Sequence, residues 1–194
     1  MKFILIMLFV CSLDASTIRV MTYNVLNFSD DNNREDDFIA IIDYINPDIM
    51  IIQEIIGETG FVKFRTDILD AIETDLWSGA FFTNQTAQQD IALYYNNDVF
   101  DILGTNVIYS AQSNGTRDVI EWSLEHVQSS VNFNVYGVHL KASSGSTNAQ
   151  ERLEEATILR SYLNNLPQDS YFIVGGDFNI YSNNPSSEPA FEML

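Results

Sequence analysis

After Met1-Lys2 the chain opens on an unbroken apolar run, residues 3–10, and only then do apolar and polar positions begin to alternate. Ile18, Val20, Thr22 and Asn24 alternate with Arg19, Met21 and Tyr23, a pattern that predicts a strand buried on both faces. Asp30 and Asp31 are expected to open a helix in which Phe38, Ile41, Ile42 and Ile45 fall at i, i+3, i+4 and i+7. Asn46-Pro47 ends it, because the residue before a proline is pushed away from helical geometry. The continuous apolar run 49–52 predicts a second buried strand, and a strand–helix–strand unit of this length implies parallel pairing. A second helix is expected over 61–73, with Phe64, Ile68 and Ile72 on one face.

The period then shortens. β-rich runs at 79–83, 91–95, 100–108, 118–124 and 131–140 are joined by turn residues such as Asn96-Asn97-Asp98 and Asn114-Gly115, which predicts antiparallel pairing. Helical periodicity returns over 149–163, introduced by Thr147-x-x-Gln150 in the spacing of a capping box and ended by Asn164, Asn165 and Pro167. Residues 171–174 read as another buried strand, running directly into Gly175-Gly176-Asp177-Phe178-Asn179. Helices around a largely β centre predict a layered α/β sandwich. No repeat, low-complexity tract or linker divides the chain, so residues 16–194 are expected to form one domain.

Composition narrows the chemistry. With 46% hydrophobic, 12% aromatic and 19% charged residues among 194, the chain has enough apolar material for a core and does not have a disordered composition. The 27 acidic and 9 basic side chains give a net charge of −18, which excludes a basic arm that grips nucleic acid by charge alone. Phosphate chemistry on such a body needs metal cations to reverse the local sign. The basic start, the short apolar run and the small residues before Ser16 have the layout of a secretory signal peptide, residues 1–15, with cleavage expected after Ala15 and a secreted or periplasmic destination. A membrane-spanning helix needs about 20 apolar residues, more than this run supplies. Cleavage would remove Cys11, the only cysteine, and with it any disulfide or thiolate metal site.

Ligands of open α/β sheets collect at strand C-termini. Four apolar runs end there in polar groups: Asn24, Glu54, His139, and the pair Asp177 and Asn179. Amide and carboxylate oxygens are hard ligands that suit Mg²⁺, Ca²⁺ or Mn²⁺. Gly175-Gly176 would let backbone approach a phosphate or turn sharply. Metal, carboxylate, amide and imidazole together suit hydrolysis of a phosphate ester by an activated water.

Taken in order, Thr22-Tyr23-Asn24-Val25, Gln53-Glu54, Val138-His139-Leu140-Lys141 and Gly176-Asp177-Phe178-Asn179 resemble the motifs of the endonuclease/exonuclease/phosphatase family, the deoxyribonuclease-I-like metal-dependent phosphodiesterases. Arg117, after Gly115-Thr116, resembles the family's arginine before a central strand. The resemblance implies a four-layer α/β/β/α sandwich of two mixed sheets with the site across their top. It implies that Glu54 binds the divalent metal with Asn24 at the same site, and that Asp177 orients or deprotonates the attacking water. Asn179 would hold the phosphate, His139 would act as general acid or stabilise the phosphorane, Arg117 would neutralise a phosphate oxygen, and Lys141 would assist at the rim. The family's carboxylate partner for the histidine falls here at Gln89-Asp90.

The family closes on a Ser-Asp-His segment carrying a second metal-site Asp and the general-base His. This sequence contains no Ser-Asp-His; its only Ser-Asp is Ser29-Asp30, and its only other histidine is His126, expected in a solvated hairpin turn. The expectation is therefore a copy lacking the C-terminal strands of one sheet. Functionally, the resemblance implies a nuclease dependent on Mg²⁺ (or Ca²⁺ or Mn²⁺), with nucleic acid as substrate, and the signal-peptide layout adds that it is secreted. The alternatives are a phospholipid or other small phosphoester as substrate, or a fragment that keeps a metal pocket without turnover. No stable protein partner is expected. The acids Asp30, Asp31, Glu35, Asp36 and Asp37 read as residues favoured by a helix N-terminus rather than as a calcium loop.

Overall fold

Successive residues of the strand Ile49–Ile55 (β2) face two different hydrophobic layers, and that double burial organises the molecule. Met50 and Ile52 point to one side, where Phe38, Ile42, Phe64, Ile68 and Leu69 pack against them. Ile49 and Ile51 point to the other, against Ile120, Trp122, Leu124 and Val135. A third layer joins Val119, Tyr136, Val138 and Leu140 to Leu159 and Leu163. The computed structural model, which describes residues 17–29, 33–85, 89–109 and 116–194, is thus helix, sheet, sheet, helix in section.

The first sheet runs β1 (Val20–Phe28), β2, β4 (Asp90–Asn96), β3 (Trp77–Gly79), with β1 parallel and β4 antiparallel to β2. The second runs β5 (Phe100–Tyr109), β6 (Val119–His126), β7 (Val131–His139), β8 (Phe172–Asp177), with β8 parallel to β7. Both sheets are mixed, as expected. Helix α1 (Glu35–Ile45) and the segment α2 (Gly57–Lys63), a π-helical turn (Phe64–Leu69) and α3 (Asp70–Ile72) cover the first sheet; α4 (Ser146–Asn164) covers the second.

Several local expectations are corrected. β1 is an edge strand with Val20 40% exposed, so it is not buried on both faces. β8 is likewise an edge, with Phe172 exposed. Asn96-Asn97-Asp98 does not close a hairpin: it carries the chain from β4 in one sheet to β5 in the other. α1 starts at Glu35, with Phe38 and Ile42 buried but Ile41 and Ile45 at the exposed margin, and left-handed Asn46 caps its end. No capping box forms at Thr147, because α4 begins earlier, after Gly145. Gly175-Gly176 makes no turn; both lie within β8. A Cβ on Gly176, at φ +149, would stand 1.9 Å from the Val138 carbonyl oxygen, so the pair serves close strand packing. The signal peptide, Cys11, Asp30, Asp31 and the Asn114-Gly115 turn lie outside the described residues.

Candidate active site

Matching bulges shape the upper end of the first sheet. The β1–β2 register is regular up to Asn24↔Gln53 and resumes at Phe28↔Ile55. On the other side of β2, pairing jumps from Gln53↔Ile91 to Ile55↔Asp90. Glu54 is the residue left out of both ladders, at φ +67, and the bulge re-aims its carboxylate out of the sheet. Leu26, Asn27, Gln89 and Asn179 also sit at positive φ. For residues other than glycine such backbone costs about 1–3 kcal/mol each, and it gathers where function demands unusual geometry.

From the second sheet, the parallel β7–β8 register sets His139 directly beside Asp177. The two sheets meet through Asn24. Its Nδ2 donates to Glu54 Oε1 at 2.9 Å and to Asp177 Oδ2 at 3.0 Å, while its Oδ1 accepts from the Leu26 N–H at 2.9 Å. His139 Nε2 lies 3.9 Å from Glu54 Oε1 and 4.0 Å from Asp177 Oδ2. Asp177 Oδ1 accepts the Asn179 N–H, and Asn179 Nδ2 donates to the Leu140 carbonyl, so that among the described residues its second amide hydrogen is left for a ligand.

Burial, reinforced by the neighbouring Arg117 charge, pushes His139 down to about 4; Asp177 and Glu54 pull the other way and are outweighed. The imidazole is therefore neutral near pH 7, and its contacts with the two carboxylates are not ion pairs. Its Nδ1 makes no hydrogen bond of good geometry, and the weaker approach of the Gln89 backbone raises the ring's pKa only slightly against burial. Asp90 gives no support there, because its carboxylate accepts the N–H groups of Gly57 and Gln85.

Arg117 is 7% exposed. Its Nη2 donates to Gln89 Oε1, and its Nε and Nη1 have no partner among the described residues. Burial is the largest influence on it and lowers its pKa, against the attraction of Glu54, Glu155 and Asp177. A guanidinium remains charged even so, and two unpaired donors in a buried setting form a ready seat for an anion.

Of the residues expected from sequence, Asn24, Glu54, Asp177, His139 and Asn179 are directly connected, and Arg117 joins them through Gln89. Lys141 is engaged on α4, where its Nζ is 3.5 Å from Glu151. His126 is also displaced from expectation. It is no solvated turn residue but the last residue of β6, 6% exposed, packed on Phe100 and bonded to Ser129 Oγ. The β6–β7 register puts it opposite Val131, at the far end of the sheet from His139.

Sequence reasoning missed three contributors. Asn27 donates its N–H to Glu54 Oε2, and Gln89 Nε2 reaches both Asn27 Oδ1 and Glu54 Oε2. Arg152 on α4, fully buried, forms two 2.8 Å bonds to Glu188 and two more to the carbonyls of Lys141 and Ser143. It thereby ties the segment after His139 to the segment after Asn179. The available signal was an arginine inside the apolar stripe Ala149, Ala156, Leu159, Leu163.

The donor set fits a hard divalent cation. Two carboxylate oxygens converge on one amide, no thiolate is present among the described residues, and no three of their His, Asp or Glu side chains already form a cage. Glu54 would hold the ion, with Asp177 alongside. Asn24 steadies both carboxylates through Nδ2, and its Oδ1, which accepts the Leu26 N–H, keeps a second lone pair with which it would join the ion's ligands. Bound there, such an ion would supply Lewis-acid polarisation of a phosphoryl oxygen.

A two-sheet sandwich with carboxylates, amide, imidazole and a buried guanidinium gathered at its upper rim is the architecture of a phosphoester hydrolase. The sequence pattern of the Endonuclease/Exonuclease/phosphatase family matches residues 21–190, and the chain belongs to that family. Enzymes of this family are phosphoric ester hydrolases that generally use divalent metals. No curated protein matches the chain in sequence. Among solved structures, the human Nocturnin catalytic domain with bound sulfate is similar at TM-score 0.65 and 23% identity, over 90% of this chain and 68% of that one. TDP2 of D. rerio, complexed with single-strand DNA product, is similar at TM-score 0.67 and 15% identity, over 89% of this chain and 64% of that one. A mannosyl-6-phosphatase of Bacteroides thetaiotaomicron is similar at TM-score 0.62 and 16% identity, over 90% and 70%. The chain thus spans roughly two thirds of the length of these structures, and at such identities the likeness shows the shared fold.

Proposed function

We propose that the chain is a divalent-metal-dependent phosphodiesterase that hydrolyses nucleic-acid phosphodiester bonds, exported from the cytoplasm by its N-terminal apolar segment. The observation that carries the reading is the junction at Asn24, where Glu54 and Asp177 from opposite sheets are held together beside His139. Arg117 and the free amide hydrogen of Asn179 bind phosphate oxygens. Asp177 orients the attacking water and takes its proton as the new P–O bond forms. The ester P–O bond opposite it breaks, and the leaving oxygen acquires a proton from solvent. His139, neutral at pH 7, donates a hydrogen bond from Nε2 to the phosphorane rather than serving as a charged acid.

A second reading keeps this chemistry and replaces the polymer by a phospholipid head group or another small phosphoester. The −18 charge favours it, since a long phosphate polymer is repelled where a single phosphate is not. The test is incubation of the purified chain with Mg²⁺ or Ca²⁺ and, in separate reactions, plasmid DNA, sphingomyelin and a sugar phosphate, beside Asp177→Ala. DNA nicking that the variant loses is the expected result. Cleavage of lipid or sugar phosphate alone supports the second reading. No cleavage of any substrate by the wild-type chain refutes both.

A further inference from the structure

Arg117 and Glu54 attract one another, and Glu54 is the foremost of the charges acting on the guanidinium. Left to themselves, an arginine and a carboxylate close into a bidentate pair, which would occupy the donors needed for phosphate and the oxygens needed for a cation. They are not paired here. Between them stands Gln89: its carbonyl accepts from Arg117 Nη2, and its Nε2 donates to Glu54 Oε2 at 3.3 Å and Asn27 Oδ1 at 2.7 Å. The amide offers each charge the end of opposite polarity and carries no charge of its own.

The spacer is itself fixed. Gln89 has φ +57 and immediately precedes Asp90, whose carboxylate is pinned by the N–H groups of Gly57 and Gln85. Arg117 Nε and Nη1 are buried with no partner among the described residues, and Glu54 Oε1 faces neutral groups, accepting from Asn24 Nδ2 at 2.9 Å with His139 Nε2 at 3.9 Å.

We infer that Gln89 is a positioning residue whose amide keeps Arg117 and Glu54 apart, so that the guanidinium stays available to a phosphate and the carboxylate to a divalent cation. This rests on the metal-and-phosphate reading of the site given above. A glutamate at this position would neutralise Arg117, and an alanine would let it fall onto Glu54.

The test is calorimetric titration of the full chain, with Mn²⁺ alone and with inorganic phosphate alone, for wild type, Gln89→Glu, Gln89→Ala, Arg117→Met and the Gln89→Ala/Arg117→Met double variant. Gln89→Glu is expected to weaken phosphate binding about tenfold or more without weakening Mn²⁺. Gln89→Ala is expected to weaken both by about tenfold or more. Adding Arg117→Met is expected to restore Mn²⁺ affinity to within about threefold of wild type, but not phosphate affinity. A residue that only supports the fold would not be rescued by removing a cation. If Gln89→Glu does not fold, the alanine variants, which add no charge, carry the test alone. Wild-type affinities in Gln89→Ala, or an Mn²⁺ loss that Arg117→Met leaves unrepaired, overturn the inference. If wild type binds neither probe, the underlying reading falls and the inference with it.

Discussion

Asn24 and Asp177 lie 153 positions apart in sequence and 3.0 Å apart in space, joined by the bond from Asn24 Nδ2 to Asp177 Oδ2. The same nitrogen holds Glu54 at 2.9 Å, so one neutral amide closes the upper seam between two sheets and offsets the mutual repulsion of two carboxylates. Asn24→Asp would place a third carboxylate in that seam. Its melting temperature is expected to fall in metal-free buffer by the equivalent of about 1–3 kcal/mol. Added Mg²⁺ should raise that melting temperature more than it raises the wild type's, as differential scanning fluorimetry with and without the ion would show.

Arg152 makes its case through burial. Arginine and Glu188 are both almost inaccessible, and removing one partner of such a pair strands the other charge. Arg152→Met is expected to cost about 3–5 kcal/mol in urea denaturation. Arg152→Met/Glu188→Met, which removes both charges, should recover part of that loss. Equal losses in the two variants would show that the carbonyl bonds to Lys141 and Ser143, rather than the ion pair, matter most.

Glu155 supplies a pH signature. Burial pushes its carboxyl up to about 7, outweighing the Lys141 N–H bond and the nearby Arg117 and Arg152 charges. Because the folded state holds this proton more tightly than the unfolded chain, Glu155's contribution is fully present below the ordinary carboxylate value of 4.5. It is lost as pH rises through about 7. Glu155→Gln retains an oxygen for the Lys141 N–H. It is expected to leave stability at pH 4.5 nearly unchanged and to raise it at pH 8, by about 2–4 °C of melting temperature per kcal/mol recovered. Thermal melts at the two pH values check this.

Gly176 tests the packing of the two site strands. Gly176→Ala brings its Cβ within 1.9 Å of the Val138 carbonyl at a φ hostile to side chains. The expected cost is about 2–5 kcal/mol, measured by chemical denaturation, with the spacing between His139 and Asp177 disturbed as well.

The layers were legible in the sequence because β2 and β4 alternate between two apolar environments, leaving continuous runs such as Ile49 to Ile52. The polar residues at strand ends were legible for the same reason: Asn24, Glu54, His139 and Asp177 each close one of four apolar runs, and Asn179 stands two positions after Asp177. What could not be read were relations set by tertiary register. Whether β1 and β8 are central or edge strands depends on partners far along the chain, and Ile18 to Asn24 carries no mark of it. His126 looked like a turn residue because it falls between two β-rich runs, yet Phe100 from the preceding strand covers its ring. Gln89 gave no signal beyond its place beside Asp90, since its role lies in standing between two charges that the sequence keeps 63 positions apart, Glu54 and Arg117.

A cation site formed by Glu54 and Asp177 at the Asn24 seam is what the proposed chemistry requires first. Anomalous diffraction from crystals soaked in Mn²⁺ addresses it most directly. A peak is expected against the Glu54 carboxylate, on the side facing Asp177, that disappears in Glu54→Gln. An unoccupied seam in crystals that bind Mn²⁺ elsewhere, for instance among the acids at the start of α1, would contradict it.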